Sequence, residues 1–221
     1  MKKETEANDG GHTISLADSI LYGILDLGYV READAERVTN GLLEGGADIL
    51  QLRAKKSDLA TIRCVAERLI PLCRAAKVPF ILNDHPELAA ELDADGVHIG
   101  QDDGPLAAAR AIVGPGKIIG RSTHSLDQAR GALAEGFDYI GFGPLFPTPT
   151  KLGRPGIGLE NIVTMGRDVG SKIPAFCTGG TTEGTLPAVI DAGAKRIVVV
   201  SALLQAPDVA AATRKFRSAF C

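Results

Sequence analysis

The phrase Gln51-Leu52-Arg53-Ala54-Lys55 alternates polar with apolar or small residues. In an extended strand that alternation puts Gln51, Arg53 and Lys55 on one face and the leucines on the other. An amide and two cations on one face are costly to bury unless a carboxylate or an anionic ligand answers them. Asp84 and Glu67 could pair with them; the other reading is an anionic substrate. Asn83 and Asp84 close the phrase FILND, and Asp102 and Asp103 follow GVHIGQ. Mg²⁺ is usually held by one or two carboxylates together with waters and substrate phosphate oxygens, so Asp84 and Asp103 suit a metal bound alongside a diphosphate. Asp103 also precedes Gly104-Pro105, where it could equally cap a helix.

Further polar groups recur in the second half of the chain. GRSTH offers the Ser122 hydroxyl to a ligand and His124 as a base or as a helix cap. The segment from Phe142 to Lys151 sets two threonines and a lysine in a proline-rich frame. A long irregular loop of this kind is usually functional, and Lys151 is suited to gripping phosphate. Thr178-Gly179-Gly180 and Val200-Ser201-Ala202 lie near the end, and glycine lets a backbone approach a phosphate closely. His98, flanked by Val97 and Ile99, reads as a hydrogen-bonded structural residue.

These groups need a scaffold that gathers them. Short β-rich runs begin near Ile20, Asp48, Pro79, Gly96, Lys117, Asp138, Pro174 and Arg196, which makes eight. Helix-period segments at 32–44, 58–76, 125–135, 186–192 and 208–220 fall between or after them. Gly45, Gly136 and Gly193 stand where helices stop, and EGGADIL, EGFDYIG and DAGAKRI repeat one helix-to-strand turn. Alternating strands and helices with such a repeat predict a single (βα)₈ TIM barrel over 15–221, preceded by a disordered tail over 1–14. A doubly wound open sheet is the runner-up, disfavoured because no Gly-x-Gly-x-x-Gly follows the first strand. In a barrel, chemistry belongs at the carboxyl ends of the strands, which is where the polar phrases fall.

Composition narrows the class of partner. Twenty-four Lys and Arg against 27 Asp and Glu give a net charge of −3, too little basic surface for nucleic acid or an anionic membrane. The expected partners are small molecules, with homo-oligomerisation left open. The polar start of the chain does not fit a secretory signal peptide, and no apolar run is long enough to span a bilayer. Cys64, Cys73, Cys177 and Cys221 form no Cys-x-x-Cys pair. Cys64 and Cys73, nine residues apart on a predicted helix, fall on opposite faces, as expected for free thiols in a cytoplasmic protein.

Taken in order, QLRAK at 51–55, ND at 83–84, DGVHIGQDD at 95–103, GRSTH at 120–124, GPLFPTPTK at 143–151, TGG and VSA resemble the thiamine phosphate synthase family over nearly the whole barrel. The resemblance implies a Mg²⁺-dependent transferase that couples a pyrimidine diphosphate to a thiazole phosphate and releases pyrophosphate. It further implies that Gln51, Arg53, Lys55, Asn83, Ser122 and Lys151 contact the pyrimidine diphosphate, with Arg53, Ser122 and Lys151 catalytic. Asp84 and Asp103 would hold Mg²⁺, and Thr148, Pro149, Thr150, Gly180, Val200 and Ser201 the thiazole phosphate. Two positions depart from the family pattern: Thr181 stands where an aliphatic residue is usual, and Gly184 where a helix-start asparagine is frequent. A related thiazole tautomerase, using His124 as proton shuttle, is the competing enzyme reading. A barrel that binds thiamine phosphate without catalysis is the other.

Overall fold

The computed structural model describes residues 16–148 and 155–220. The expected tail over 1–14, and the candidate residues Pro149, Thr150 and Lys151, lie outside them. Eight parallel strands close into a barrel in sequence order: β1 (Leu21–Asp26), β2 (Ile49–Arg53), β3 (Phe80–Asn83), β4 (Gly96–Ile99), β5 (Ile118–Thr123), β6 (Tyr139–Phe142), β7 (Ala175–Cys177) and β8 (Ile197–Val199). The ring closes where Leu21 pairs with Ile197. Around it run α1 (Ala35–Glu44), α2 (Leu59–Ala76), α3 (Pro86–Glu91), α4 (Leu106–Val113), α5 (Leu126–Glu135), α6 (Ile162–Met165), α7 (Leu186–Asp191), α8 (Ser201–Leu204) and α9 (Val209–Ser218). The helix expected over 208–220 is α9, and ahead of it the apolar run after Arg196 bends at Val200 and opens the short, unexpected α8.

The helix starts follow side-chain chemistry. Asp58, Ser125 and Asp208 each accept a hydrogen bond from the backbone N–H three residues on, capping α2, α5 and α9. On α2, Cys64 is exposed and Cys73 buried, the opposite faces that their spacing requires.

The repeated helix-to-strand phrase has a structural meaning. Asp48, at the entry to β2, accepts from the N–H groups of Ile20 and Leu21 at 2.8 Å. Asp95 before β4 accepts from Phe80 N–H at 2.8 Å, and Asp138 before β6 accepts from Ile119 N–H at 2.7 Å. One aspartate thus ties each of these even strands to the odd strand before it. Ahead of β8 the place is taken by Arg196, which donates to the Ala17 carbonyl at 2.5 Å. Gly45 is the C-cap of α1, as expected, and the left-handed residue follows at Gly46. Gly45 is glycine for another reason: a Cβ there would lie 2.3 Å from Thr213 Cβ, so it lets α1 meet α9 closely.

Two cores result. One lies between the barrel and its helices, the other inside the barrel. The inner one stacks Tyr22, Tyr139 and Phe176, with ring centroids 5.4 to 5.9 Å apart and Phe176 edge-on to both tyrosines. Leu16, from the segment before β1, packs with Tyr22, Ile118 and the rest of this inner cluster. Room for the rings comes from a missing side chain: a Cβ on Gly120 would lie 2.0 Å from Tyr139 Cζ. Gly120→Ala should therefore cost about 1–3 kcal/mol by overpacking, a melting temperature lower by roughly 2–10 °C in a chain of this size. An unchanged melt would show that Tyr139 can move aside freely.

Candidate active site

The strand ends open on one cavity. Around its wall stand Tyr22 and Ile24 from β1, Gln51 and Arg53 from β2, Asn83 from β3, His98 from β4, Ser122 from β5, and Tyr139 and Gly141 from β6. Pro144 and Thr148 of the following loop, Thr178 to Thr181 after β7, and Val198, Val200 and Ser201 at β8 complete it. Eight of the residues singled out in the sequence, Gln51, Arg53, Asn83, Ser122, Thr148, Gly180, Val200 and Ser201, thus share one wall.

One side of the mouth is ionic. Arg53 pairs with Asp26 at the end of β1, and Lys55 pairs with Asp84 after β3. Asp26 is buried, and its second oxygen accepts from Gly28 N–H at 2.8 Å. The cations are therefore answered by carboxylates, though by Asp26 and Asp84 and not by Glu67. Asp84 and His85 both take left-handed backbone, with φ of 59° and 46°. Two successive non-glycine residues in that region store strain of about 1–2 kcal/mol each, and such strain clusters at functional sites. Asp84 N–H donates to the His98 carbonyl at 2.8 Å, which fixes the turn against β4.

Asp103 is exposed in the turn after β4, with a side-chain oxygen accepting from Gly100 N–H at 2.6 Å. It is not the cap of α4, whose N-cap position is Pro105. His124 Nδ1 meets the Gly143 carbonyl, its backbone N–H donates to Gln128 Oε1 at 2.7 Å, and it is not among the residues that line the cavity.

The floor of the cavity is a polar chain. Gln51 Nε2 donates to Tyr22 OH at 2.7 Å, the two tyrosine hydroxyls meet at 2.8 Å, and His98 reaches Tyr139 OH through Nδ1 and Ser122 Oγ through Nε2, both at 2.9 Å. Burial pushes the pKa values of both phenols well above their ordinary value, so the hydroxyls keep their protons. Burial likewise pushes the Cys177 thiol up to about 12, which removes it as a nucleophile.

The opposite side is made of backbone. Gly179 and Gly180 take φ of 93° and 71°, and the loop after β6 is zipped onto them, Leu145 N–H to Thr178 O at 2.8 Å and Phe146 N–H to Gly179 O at 3.2 Å. A Cβ on Gly180 would lie 2.6 Å from Phe146 Cβ, so the turn admits only glycine without moving the loop. Ser201 begins α8, where the first N–H groups of a helix have no acceptor within it. The two departures from the family pattern fall here. Thr181 is buried in the wall, and its hydroxyl has no partner among the described residues. Thr182 and Thr185 take over the helix start beside Gly184: Thr182 N–H donates to Thr185 Oγ1 at 2.8 Å, and that hydroxyl donates to Gly180 O at 2.9 Å.

A barrel mouth with an ionic side and a glycine-backbone side is a general arrangement, and comparison with known proteins supplies the family. Residues 21–203 match the family model described as thiamine monophosphate synthase. The chain belongs to that family. It is 46% identical to the thiamine-phosphate synthase of Thermus thermophilus over 191 residues, 86% of this chain and 90% of the relative. It is 41% identical to that of Roseiflexus castenholzii, over 88% of this chain and 85% of the relative. Among solved structures, the thiamine phosphate pyrophosphorylase of Pyrococcus furiosus superposes with a TM-score of 0.82 at 33% identity, over 92% of this chain and 96% of that one.

Asp26, Tyr22 and Tyr139 escaped the sequence reading. ILYGILD carries a terminal carboxylate that a strand-end search could have flagged, whereas a tyrosine in a strand signals only core. The strained turn yields a test. Asp84→Gly relieves the left-handed backbone and removes one half-exposed ion pair, so the melting temperature should hold or rise by roughly 1–4 °C. Turnover should fall by about 10²-fold or more. A variant that melts several degrees lower yet keeps its activity would make Asp84 a structural residue only.

Proposed function

We propose that the chain is a thiamine-phosphate synthase. It joins 4-amino-2-methyl-5-(diphosphooxymethyl)pyrimidine to 4-methyl-5-(2-phosphoethyl)thiazole, or its carboxylated form, and releases pyrophosphate. The observation that supports this reading is one cavity with two unlike sides: Arg53 at the end of β2 with Lys55 just past it, both ion-paired, and the glycine turn with the start of α8.

The chemistry follows from what each side offers. Arg53 and Lys55 receive the diphosphate, Asn83 and Ser122 hydrogen-bond the same substrate, and Gln51 meets the pyrimidine. As the C–O bond breaks, its electron pair leaves with the pyrophosphate, and cations already oriented at the mouth stabilise that growing charge without reorganising. The 4-amino group donates electron density into the pyrimidine-methyl cation. Thr148, Pro149, Thr150, Gly180, Val200 and Ser201 hold the thiazole phosphate, whose ring nitrogen supplies the lone pair for the new C–N bond. Lys151 grips the diphosphate in this reading. The coupling needs no protein nucleophile, in keeping with a protonated Cys177, and no general base, in keeping with a His124 that does not line the cavity. The place of His124 outside that lining argues against the tautomerase reading.

The donor set also suits Mg²⁺. Asp84 and Asp103 each commit one oxygen to a protein donor, Lys55 or Gly100, and each carboxylate has further lone pairs for a hard cation. Bound there, Mg²⁺ would neutralise charge on the leaving diphosphate.

The test is incubation with both substrates and Mg²⁺, with detection of pyrophosphate and thiamine phosphate in equal amounts; absence of both products would refute the assignment. With activity in hand, Asp103→Asn should shift the Mg²⁺ titration to higher concentration and slow turnover by about 10²-fold, with little change in melting temperature. Superimposable metal curves for variant and wild type would remove Asp103 from the metal site.

A further inference from the structure

The chain Gln51, Tyr22, Tyr139, His98, Ser122 crosses the barrel interior through β2, β1, β6, β4 and β5, with every link between 2.7 and 2.9 Å. Its direction follows from counting donors. The Gln51 amide nitrogen only donates, so the Tyr22 oxygen accepts. The Tyr22 hydrogen then goes to the Tyr139 oxygen, the Tyr139 hydrogen to His98 Nδ1, and the ring carries its own hydrogen on Nε2 for Ser122 Oγ. Running the links after Tyr22 the other way leaves the Tyr22 hydroxyl hydrogen without an acceptor in the chain, on a side chain only 1% exposed. The forward direction therefore wins. It leaves the Ser122 hydroxyl hydrogen to donate into the cavity, and it locks the Gln51 amide with its nitrogen toward Tyr22 and its carbonyl oxygen available to accept.

We propose that Tyr22, Tyr139 and His98 are positioning residues. They set Gln51 as an acceptor and Ser122 as a donor in the pyrimidine site, and so select a ring with an amino group beside an unprotonated nitrogen over its oxo counterpart. In the oxo ring the exocyclic group accepts and the ring nitrogen donates, so both contacts meet the wrong partner. The ring packing against Phe176 would be served as well by phenylalanine; the two hydroxyls are needed only for the chain. The selectivity rests on the coupling reaction proposed above, whereas the direction of the chain does not.

The experiment therefore has two arms. ¹⁵N NMR of the imidazoles in the free protein, with His98 assigned by comparison with His98→Gln, should show a neutral ring protonated on Nε2. An Nδ1-protonated ring or a doubly protonated one overturns the direction whether or not the protein is an active synthase. Kinetics supply the second arm, with thermal melts to confirm folding. Tyr139→Phe should lower kcat/KM for the pyrimidine diphosphate by about 10-fold, leave KM for the thiazole phosphate within about twofold, and reduce the preference for the amino over the oxo diphosphate by about 10-fold. His98→Gln, which keeps a nitrogen donor near Ser122, should retain more activity than His98→Leu. Equal changes in KM for both substrates, or none, would reduce the chain to core packing. Failure of the wild type to form thiamine phosphate would strike the proposed function, and the tautomer would still decide the relay.

Discussion

Two hydroxyl groups sit at the centre of this barrel, and the rest of the site answers to them. Tyr22 and Tyr139 fill the interior with Phe176, and each brings a polar tip to the cavity floor on a side chain only 1% exposed. A buried hydroxyl must find a partner or cost the fold more than its bond is worth. The partners here are each other, then Gln51 on one side and His98 with Ser122 on the other. Gly120 is glycine because the Tyr139 ring occupies the space of its side chain. Packing in the lower half of the barrel and hydrogen bonding in the cavity wall are consequently one structure, and a change in the first is felt in the second.

The ionic side of the mouth meets a different constraint. Cations proposed to receive a diphosphate must be tolerable before it arrives. Arg53 rests on the buried Asp26, and Lys55 on Asp84, so neither charge is left unanswered and both are held in direction. An incoming diphosphate then trades one set of charge-assisted bonds for another. Across the cavity the surface proposed for the thiazole phosphate is neutral backbone, shaped by Gly179 and Gly180 against Phe146 and by the first turn of α8. These two unlike sides, set around one cavity, are what the proposed coupling of two phosphorylated substrates asks for.

The sequence made most of this fold legible. All eight strands stand where alternation and glycine stops place them, and the aspartate in the recurring turn has become a clamp between neighbouring strands. Residues with charged or amide heads at strand ends, Gln51, Arg53 and Asn83 among them, declared themselves because such groups are expensive to bury without purpose. Tyr22 and Tyr139 did not, since a strand tyrosine reads as core until its hydroxyl is seen to have a partner across the barrel. His98 read correctly as hydrogen-bonded, but spacing along one strand cannot say that its two nitrogens reach β6 and β5. The short α8 was hidden for a related reason: an apolar run of eight residues carries no period that separates strand from helix.

The central claim is that one cavity holds two independent anion sites, and calorimetry of each substrate alone tests it most directly. With wild type as reference, Lys55→Ala should weaken binding of the pyrimidine diphosphate by about 10-fold and that of the thiazole phosphate by less than about twofold; Gly180→Ala should do the reverse. Loss of both ligands to the same degree in either variant, or of neither in both, would contradict a divided site.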